Sequence, residues 1–149
     1  MQKKGDNGEA IAKSMFEMAK LKVPIIAIVI GEGSSGGALA IGVGNKVFML
    51  ENAIYSILSP EGYSSILWKD SSRYKEAAEK MKLTAKDLYD LKVIDKIIKE
   101  PQTENEEENF QKTASSLKKE IKTTISQMKD KTENEIVEER YKKFRNIGE

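Results

Sequence analysis

The sequence predicts an α/β fold, and three features of the chain support this prediction. The first is a continuous apolar run from Val23 to Ile30, containing PIIAIVI, which is typical of a parallel strand buried on both faces. The second is a series of short strand-like segments that alternate with segments of helical spacing. The third is a strongly charged C-terminal region with helical periodicity.

The first 22 residues are polar apart from an apolar stripe at helical spacing. Ile11, Met15, Met18 and Ala19 make up this stripe, and they predict an amphipathic helix that ends near Lys22. The helix should end there because a residue that precedes proline, as Val23 does, disfavours the helical conformation.

Three further segments have the composition of short strands. KVFML at 46–50 and AIYSIL at 53–58 are separated by the turn-prone pair Glu51-Asn52, and VIDKII follows at 93–98. Together with the first apolar run they supply the strands of the predicted sheet.

Helices are predicted between these strands and Pro101. At Ser59 a serine can cap a helix whose first residue is Pro60, and Glu61 complements the positive end of the helix dipole. A second helix is predicted over 71–81, and Thr84 caps a third that leads to Leu91.

Residues 102–149 are almost free of glycine and strongly charged. Apolar residues recur there at steps of three and four, which predicts one long helix; they are Phe110, Ala114, Leu117, Ile121, Ile125 and Met128. A second helix is predicted after a connection near Thr132, from Ile136, Val137, Tyr141 and Phe144. The two helices can form a hairpin that packs on its own core, or they can present a surface to a partner subunit.

Composition excludes several classes of function. The chain has 149 residues, enough for one domain, and its 25 Lys and Arg balance 24 Asp and Glu, so no charge bias favours nucleic acid or an anionic membrane. Small molecules or proteins are the expected partners. The longest apolar run is too short to cross a membrane and no signal peptide opens the chain, so a cytoplasmic location is expected.

The absence of histidine and cysteine is equally informative about chemistry. It excludes disulfides, thiolate or imidazole metal sites, and any Ser-His or Cys-His catalytic pair. No metal site is expected in this chain.

The segment GEGSSGG, residues 31–37, matches the G-x-G-x-x-G pattern of a dinucleotide-binding loop. Glu51 also stands where a ribose-binding carboxylate belongs, 20 residues past Gly31. Against this interpretation, Gly42 and Gly44 leave too few residues for a crossover helix. A Walker A phosphate loop is excluded because no Gly-Lys-Ser/Thr follows at the required spacing.

Two other chemistries fit the same segment. Ser34 or Ser35 could act as a nucleophile, although without histidine it would need a lysine base. Alternatively, Gly36 and Gly37 place backbone N–H groups at the first turn of a short helix, where a ligand oxygen can approach them and an oxyanion can be stabilised. The glycines could also serve only tight packing between strand and helix.

The residues themselves resemble a known family. The run GEGSSGGALAIGVGNKVFMLENAIYSILSPEGYSSILWKD closely resembles the carboxyltransferase alpha subunit of bacterial-type acetyl-CoA carboxylase, which carries GEGGSGGALAIGVGD, then YS-(V/I)-(I/L)-SPEG and ILW in the same order. The similarity covers nearly all of residues 8–101. Residues 102–149 resemble the family's variable helical tail, with a similar ERYxKFRxIG pattern at the end.

The resemblance implies a partial crotonase-like, or ClpP-like, fold in which ββα turns stack into a spiral. Residues 1–101 would be the C-terminal part of the carboxyltransferase domain, and residues 102–149 a helical tail or hairpin. The family transfers a carboxyl group from carboxybiotin, held on the biotin carboxyl carrier protein, to acetyl-CoA, giving malonyl-CoA in the first committed step of fatty-acid biosynthesis. The implied partners are a beta subunit, in an α2β2 heterotetramer, and biotin carboxylase, within a complex that binds ATP.

The implied site uses the backbone. Gly36 and Gly37 are the expected oxyanion donors to the biotin carbonyl, and Gly33, Ser34, Ser35 and, more weakly, Glu61 are the expected substrate-binding residues. Biotin belongs to a separate carrier protein, and the zinc-binding cysteines belong to the beta subunit.

The chain departs from the family in two respects. Ser34 replaces a family glycine, and Met1 corresponds to a position about halfway along the family's sequence. Two alternatives therefore stay open: a non-catalytic assembly module of the same complex, and a crotonase-like serine peptidase that uses Ser35. Tyr63 and Trp68 are expected to pack in the core or an interface.

Overall fold

Five short strands form two parallel sheets in the computed structural model, which describes residues 7–148. The first sheet has the order β1-β3-β5, where β1 is Ile26–Val29, β3 is Lys46–Leu50 and β5 is Lys96–Ile98. The second sheet pairs β2 (Glu32–Ser34) with β4 (Ile54–Ser56). Every strand pair is parallel, which confirms the predicted α/β class.

Helices follow the strands in a repeating pattern. The order β1-β2-α2 is followed by β3-β4-α3, so the described chain contains two consecutive ββα units. The helices are α1 (Asn7–Lys20), α2 (Ser35–Ile41), α3 (Pro60–Trp68), α4 (Tyr74–Met81), α5 (Ala85–Asp90), α6 (Glu106–Met128) and α7 (Glu133–Arg145).

Side-chain caps explain where several helices begin. Ser59 Oγ accepts a hydrogen bond from the Gly62 amide (3.1 Å) with Pro60 at the first helical position, as predicted. Thr84 caps α5 in the same way by accepting from the Asp87 amide (3.2 Å). Thr132 and Glu135 form a reciprocal capping box at the start of α7.

Several boundaries differ from the predicted ones. The first helix ends at Lys20 rather than Lys22, and the segment 71–81 begins with a single 3₁₀ turn before α4. The strand predicted over 93–98 covers only 96–98, because the amides of Val93 and Ile94 donate back to the Leu88 carbonyl. The segment 53–58 contributes β4 only at its centre.

The prediction that the first strand is buried on both faces is wrong. β1 lies at the edge of its sheet, only Ala27 within it is buried, and Ile30 beyond it is 71 % exposed. The glycine segment contains a strand that the sequence does not predict, because Glu32–Ser34 forms β2, whose residues pair with Ile54, Tyr55 and Ser56.

The core lies between the first sheet and α5. Aliphatic side chains fill it, three of them alanines, which let the strands and α5 approach closely; the buried members are Ala27, Val47, Met49, Ala53, Ala85, Leu88 and Ile94. This core fixes the position of β1, from which the chain enters the glycine segment.

The two C-terminal helices pack against the rest of the chain. α6 contacts β5, and α7 contacts α1. Lys96 of β5 pairs with Glu120 of α6 (3.2 Å), and Met128 and Ile136 are buried near the connection between the helices. Both helices thus contact earlier elements of the chain, while the helical tail over 102–149 and the domain boundary at residue 101 stay predictions.

Candidate functional site

The glycine segment makes a sharp turn from β2 into α2. Ser34 is the N-cap residue, with extended backbone (φ −130°, ψ 163°), and its side chain makes no capping hydrogen bond. Ser35 then adopts a positive φ of 73°, in the left-handed region that side chains disfavour. The first-turn N–H groups of α2 are thus not capped by the serine that precedes them.

Gly36 and Gly37 lie in this first turn and face different surroundings. A Cβ added to Gly36 would lie 3.4 Å from Ile11 Cδ1, so Gly36 faces α1 across a helix contact. A Cβ added to Gly37 would meet only Ser35 Oγ, at 3.8 Å. Neither glycine has a positive φ, so their conformation does not require glycine. The space beside Gly37 is open to a ligand, whereas that beside Gly36 is used for packing.

A cleft of about 460 Å³ runs along the edge of β1 and past β2. Gly33 and Ser34 line it, whereas Ser35, Gly36, Gly37 and Glu61 do not; the other lining residues are 27–32, Ala38, Ile41, Gly42 and Tyr55. The structure therefore brings two of the six predicted site residues into one cleft and places the two predicted donors just beyond its lining.

Tyr55 is a cleft residue that the sequence did not single out. Its hydroxyl donates to the Ala38 carbonyl of α2 (3.4 Å), and burial raises the pKa of the phenol. Position 55 stands within an apolar strand, where a tyrosine hydroxyl needs a polar partner, and this was the signal available in the sequence. The side chain links β4 to the helix that carries the glycines.

Glu61 lies in the first turn of α3 and is exposed. Ser59, not Glu61, caps the helix, and the Glu61 carbonyl accepts from Ser64 Oγ (3.1 Å). The binding role predicted for its carboxylate stays a prediction.

The dinucleotide interpretation does not fit the structure. α2 has only seven residues, and Glu51, directly after β3, pairs with Lys99 and accepts from the Glu100 amide (3.3 Å). The Lys99 ammonium holds the pKa of Glu51 below its ordinary value. The carboxylate is thus engaged by two residues that follow β5.

Ser35 has the exposure and the turn geometry of a nucleophile but no base. Within residues 7–148, no lysine ammonium or carboxylate forms a hydrogen bond with its hydroxyl.

Tyr63 and Trp68 are half-buried and pack against each other, while their predicted place in the core or an interface stays a prediction. Their rings meet edge to face at 5.8 Å, and the Arg73 guanidinium lies 4.1 Å from the Trp68 ring centre.

Comparison with known protein families assigns this chain to a family. A profile of the family described as acetyl co-enzyme A carboxylase carboxyltransferase-like matches residues 2–148. The chain belongs to this family. The resemblance carried by GEGSSGGALAIG, SPEG and ILW is thereby confirmed.

Individual relatives in this carboxyltransferase family agree with the assignment. An acetyl-coenzyme A carboxylase carboxyl transferase subunit alpha of Clostridium botulinum is 57 % identical over 141 residues, which cover 95 % of this chain and 51 % of the relative. A relative in Natranaerobius thermophilus, named as subunits beta/alpha, is 52 % identical over 95 % of this chain and 23 % of its own length. The chain spans about half the length of the alpha subunits it matches.

Solved structures show the fold of this family member. A Pseudomonas malonate decarboxylase hetero-tetramer in complex with coenzyme A matches with a TM-score of 0.65 at 13 % identity, covering 89 % of this chain and 52 % of that one. Transcarboxylase 12S, with methylmalonyl-coenzyme A and methylmalonic acid bound, matches with a TM-score of 0.61 at 17 % identity, covering 80 % of this chain and 23 % of that one. The fold is crotonase-like, as predicted.

The described residues hold neither a metal-binding cluster nor a membrane-spanning helix. No cluster of three or more Asp, Glu, His or Cys side chains within residues 7–148 is arranged to hold a metal ion. None of the helices described there is long and apolar enough to span a bilayer.

Proposed function

We propose that this chain forms the glycine-amide part of a carboxyltransferase site, which moves a carboxyl group from carboxybiotin on a biotin carboxyl carrier protein to acetyl-CoA and yields malonyl-CoA. Membership of the family supports the reaction class. The observation that carries the proposal is the first turn of α2, where Ser34 leaves the amides uncapped and Gly37 has no neighbouring side chain in front of it except Ser35.

The residues at this turn fit a group that develops negative charge. When bound, carboxybiotin supplies the carboxyl group, and its loss leaves negative charge on the ureido oxygen. The N–H groups of Gly36 and Gly37 would donate to that oxygen, at the positive end of α2. Donors held by the backbone need no reorganisation as the charge develops, and they stabilise the transition state more than the ground state.

Residues around the turn would guide the substrates. Gly33 and Ser34 line the cleft that leads to the turn, and Ser35 is exposed beside Gly37. Glu61 keeps a weaker assignment, as a contact to the biotin arm or to a partner. No side chain of this chain is assigned the role of general base.

The proposed assembly includes a beta subunit in an α2β2 heterotetramer, together with the carrier protein and biotin carboxylase. The relative named as subunits beta/alpha and the hetero-tetrameric malonate decarboxylase support a beta-type partner. Acetyl-CoA would bind mainly to that partner, and biotin would arrive on the carrier.

The test replaces Gly37 by valine, which fills the open space beside the first-turn amides. We expect carboxyl transfer to fall by ~10²-fold or more, because a blocked oxyanion donor costs about that much in rate. The assay is malonyl-CoA decarboxylation after co-expression with the beta subunit, with and without a companion N-terminal half.

A matched control keeps the test specific. Thr123→Val changes a side chain at an exposed position of α6 that does not line the cleft, so activity and stability should stay close to wild type. A Gly37→Val protein with the wild-type rate would overturn the amide assignment. A complex that is stable but inactive in wild-type form would support the assembly module, and complete loss of activity in a folded Ser35→Ala protein would favour the peptidase.

A further inference from the structure

Arg140 of α7 is a buried cation that makes no ion pair with an acidic side chain among residues 7–148. Its residue surface is 1 % exposed, and its guanidinium makes six hydrogen bonds, none of them to a carboxylate. Burial lowers the pKa of the guanidinium, which nevertheless stays charged at any physiological pH. Its charge is instead balanced by carbonyl dipoles.

One side of the guanidinium caps the end of α1. Arg140 Nη1 donates to the carbonyls of Met18 (2.9 Å), Ala19 (3.0 Å) and Leu21 (2.8 Å). These carbonyls lie at the C-terminal end of α1, where acceptors lack intrahelical partners and the helix dipole is negative. The cation therefore fixes the end of α1.

The other side of the guanidinium holds the chain on both flanks of the glycine segment. Arg140 Nη2 donates to the Val23 carbonyl (2.8 Å), just before β1, and to Asn45 Oδ1 (2.8 Å), just before β3. Nε donates to the same Asn45 oxygen (3.2 Å). Asn45 makes a second bond to α7, because its Nδ2 donates to the Ile136 carbonyl (2.8 Å).

Asn45 extends this contact into the first sheet. Its Oδ1 accepts from the Ile25 amide (3.2 Å), and the Ile25 carbonyl accepts from Lys46 (3.2 Å). Gly44 approaches so closely that an added Cβ would lie 3.0 Å from the Ile25 carbonyl oxygen. The chain entering β1 and the chain leaving α2 are thus bound to one another and to α7.

α1 provides a second link between Arg140 and the glycine segment. α1 packs along α2, and the contact at the first turn is Gly36 against Ile11. Because a helix moves as a rigid rod, a shift of the α1 end would move the surface on which Gly36 rests.

We propose that Arg140 is a positioning residue for the glycine segment Gly31–Gly37, acting through Asn45 and through α1. Its planar fork bonds α1, the Val23 carbonyl and Asn45 at once, which a lysine ammonium cannot do. The catalytic part of this proposal rests on the proposed function, because the segment is taken to carry the oxyanion donors.

The test separates positioning from folding by comparing Arg140→Met, Arg140→Lys and Arg140→Ala with a control, Arg145→Met, on the exposed part of the same helix. Hydrogen exchange is measured on peptides that cover 31–37 and 42–46, and kcat and KM are measured in malonyl-CoA decarboxylation with the beta subunit. Guanidinium ion at millimolar concentration is added to Arg140→Ala, with sodium chloride as the salt control.

We expect faster exchange in both segments for Arg140→Met and Arg140→Lys, and no change for Arg145→Met. The kcat should fall by ~10²-fold with little change in KM, since a small misplacement of a catalytic group has a cost of that order. Guanidinium, but not sodium chloride, should restore kcat and slow exchange in Arg140→Ala.

Exchange that rises only in α7 and at the end of α1, with 31–37 unchanged, would overturn the proposal. Equal losses of kcat in Arg140→Met and Arg145→Met would also overturn it. If Arg140→Met does not fold, Arg140→Lys gives the same exchange comparison. If the wild-type complex has no activity, the proposed function fails, while the exchange data still decide whether Arg140 positions the segment.

Discussion

Ser35 has a backbone conformation that favours glycine, and this sets a testable stability difference. A φ of 73° destabilises a residue that has a side chain by about 1 kcal/mol. Replacing a residue by glycine lowers the free energy of unfolding by about 0.4–1 kcal/mol, because glycine gives the unfolded chain more conformational freedom. Ser34, with φ −130°, would incur only the second cost. We expect Ser35→Gly to be more stable than Ser34→Gly by about 1 kcal/mol, measured by chemical unfolding. Equal stabilities would show that Ser35 is not strained.

Gly42 is required for space rather than for conformation. Its φ is −70°, but an added Cβ would overlap the Tyr55 hydroxyl and lie 3.2 Å from the Ala38 carbonyl oxygen. We expect Gly42→Ala to destabilise the fold by about 1–3 kcal/mol, in the range of overpacking mutations. Unfolding of Gly42→Ala with and without Tyr55→Phe measures the effect, and the phenylalanine should recover part of the loss. A full loss in the double variant would assign the cost to the helix carbonyls instead.

The capping box at the start of α7 gives an element-scale prediction. Thr132 Oγ1 accepts from the Glu135 amide (3.3 Å), and Glu135 accepts from the Thr132 amide (2.7 Å). We expect Thr132→Ala to lower the free energy of unfolding by about 1 kcal/mol, the usual loss for an N-cap. Thr123→Ala, at an exposed interior position of α6, is the control and should be neutral or slightly stabilising.

The same capping box should respond to pH. The amide and hydroxyl of Thr132 hold the pKa of Glu135 below its ordinary value of 4.5. Because the folded-state pKa is lowered, the contact stabilises the fold above the ordinary pKa, and this is lost as pH falls through the folded-state value. The stability advantage of wild type over Glu135→Gln should therefore be present at pH 7 and shrink as the pH falls below the ordinary pKa of 4.5. Unfolding midpoints across this range would contradict the expectation if the advantage stayed constant.

The strand β2 shows why one element was missed. Glu32–Ser34 has three residues, one of them a glycine, so no period of two can be seen in it. It becomes a strand because Gly33 pairs with Tyr55 of β4, across 22 positions of sequence. By contrast, the capped starts at Ser59, Thr84 and Thr132 were predictable because their signals are local.

At the scale of the molecule, an apolar groove of about 830 Å³ lies between α1, α2 and α7. Phe16, Leu39, Tyr141 and Phe144 are among its lining residues. We expect the folded chain to bind the dye ANS there, and Phe16→Glu to reduce the fluorescence, because exposed apolar surface binds this dye. Phe16 is 63 % exposed, so its replacement should change the unfolding midpoint little.

A matched variant tests whether the groove is responsible. Phe110 on α6 is 65 % exposed but does not line the groove, so Phe110→Glu should leave the fluorescence unchanged. Equal losses of ANS fluorescence in the two variants would mean that the dye binds exposed apolar side chains in general rather than the groove.

Part of the site was predictable because its signal, like that of the helix caps, lies in neighbouring residues. GEGSSGGALAIG carries its family assignment in the order of its residues, and the confirmed family and fold follow from it. The partners of Tyr55, Asn45 and Arg140 were not predictable, since each lies far away in the sequence: Ala38, Ile25 and the end of α1.

Apart from β2, the sequence by itself determined which segments form strands and helices, several caps and the family of this protein, because these depend on neighbouring residues and on motif order. Only the tertiary structure decided that Gly36 faces Ile11 while Gly37 faces open space, that β1 is an edge strand, and that a guanidinium from α7 binds both flanks of the glycine segment. The physical reason is that burial, close approach and hydrogen-bond partnership are set by contacts between residues far apart in the chain, which local pattern does not encode.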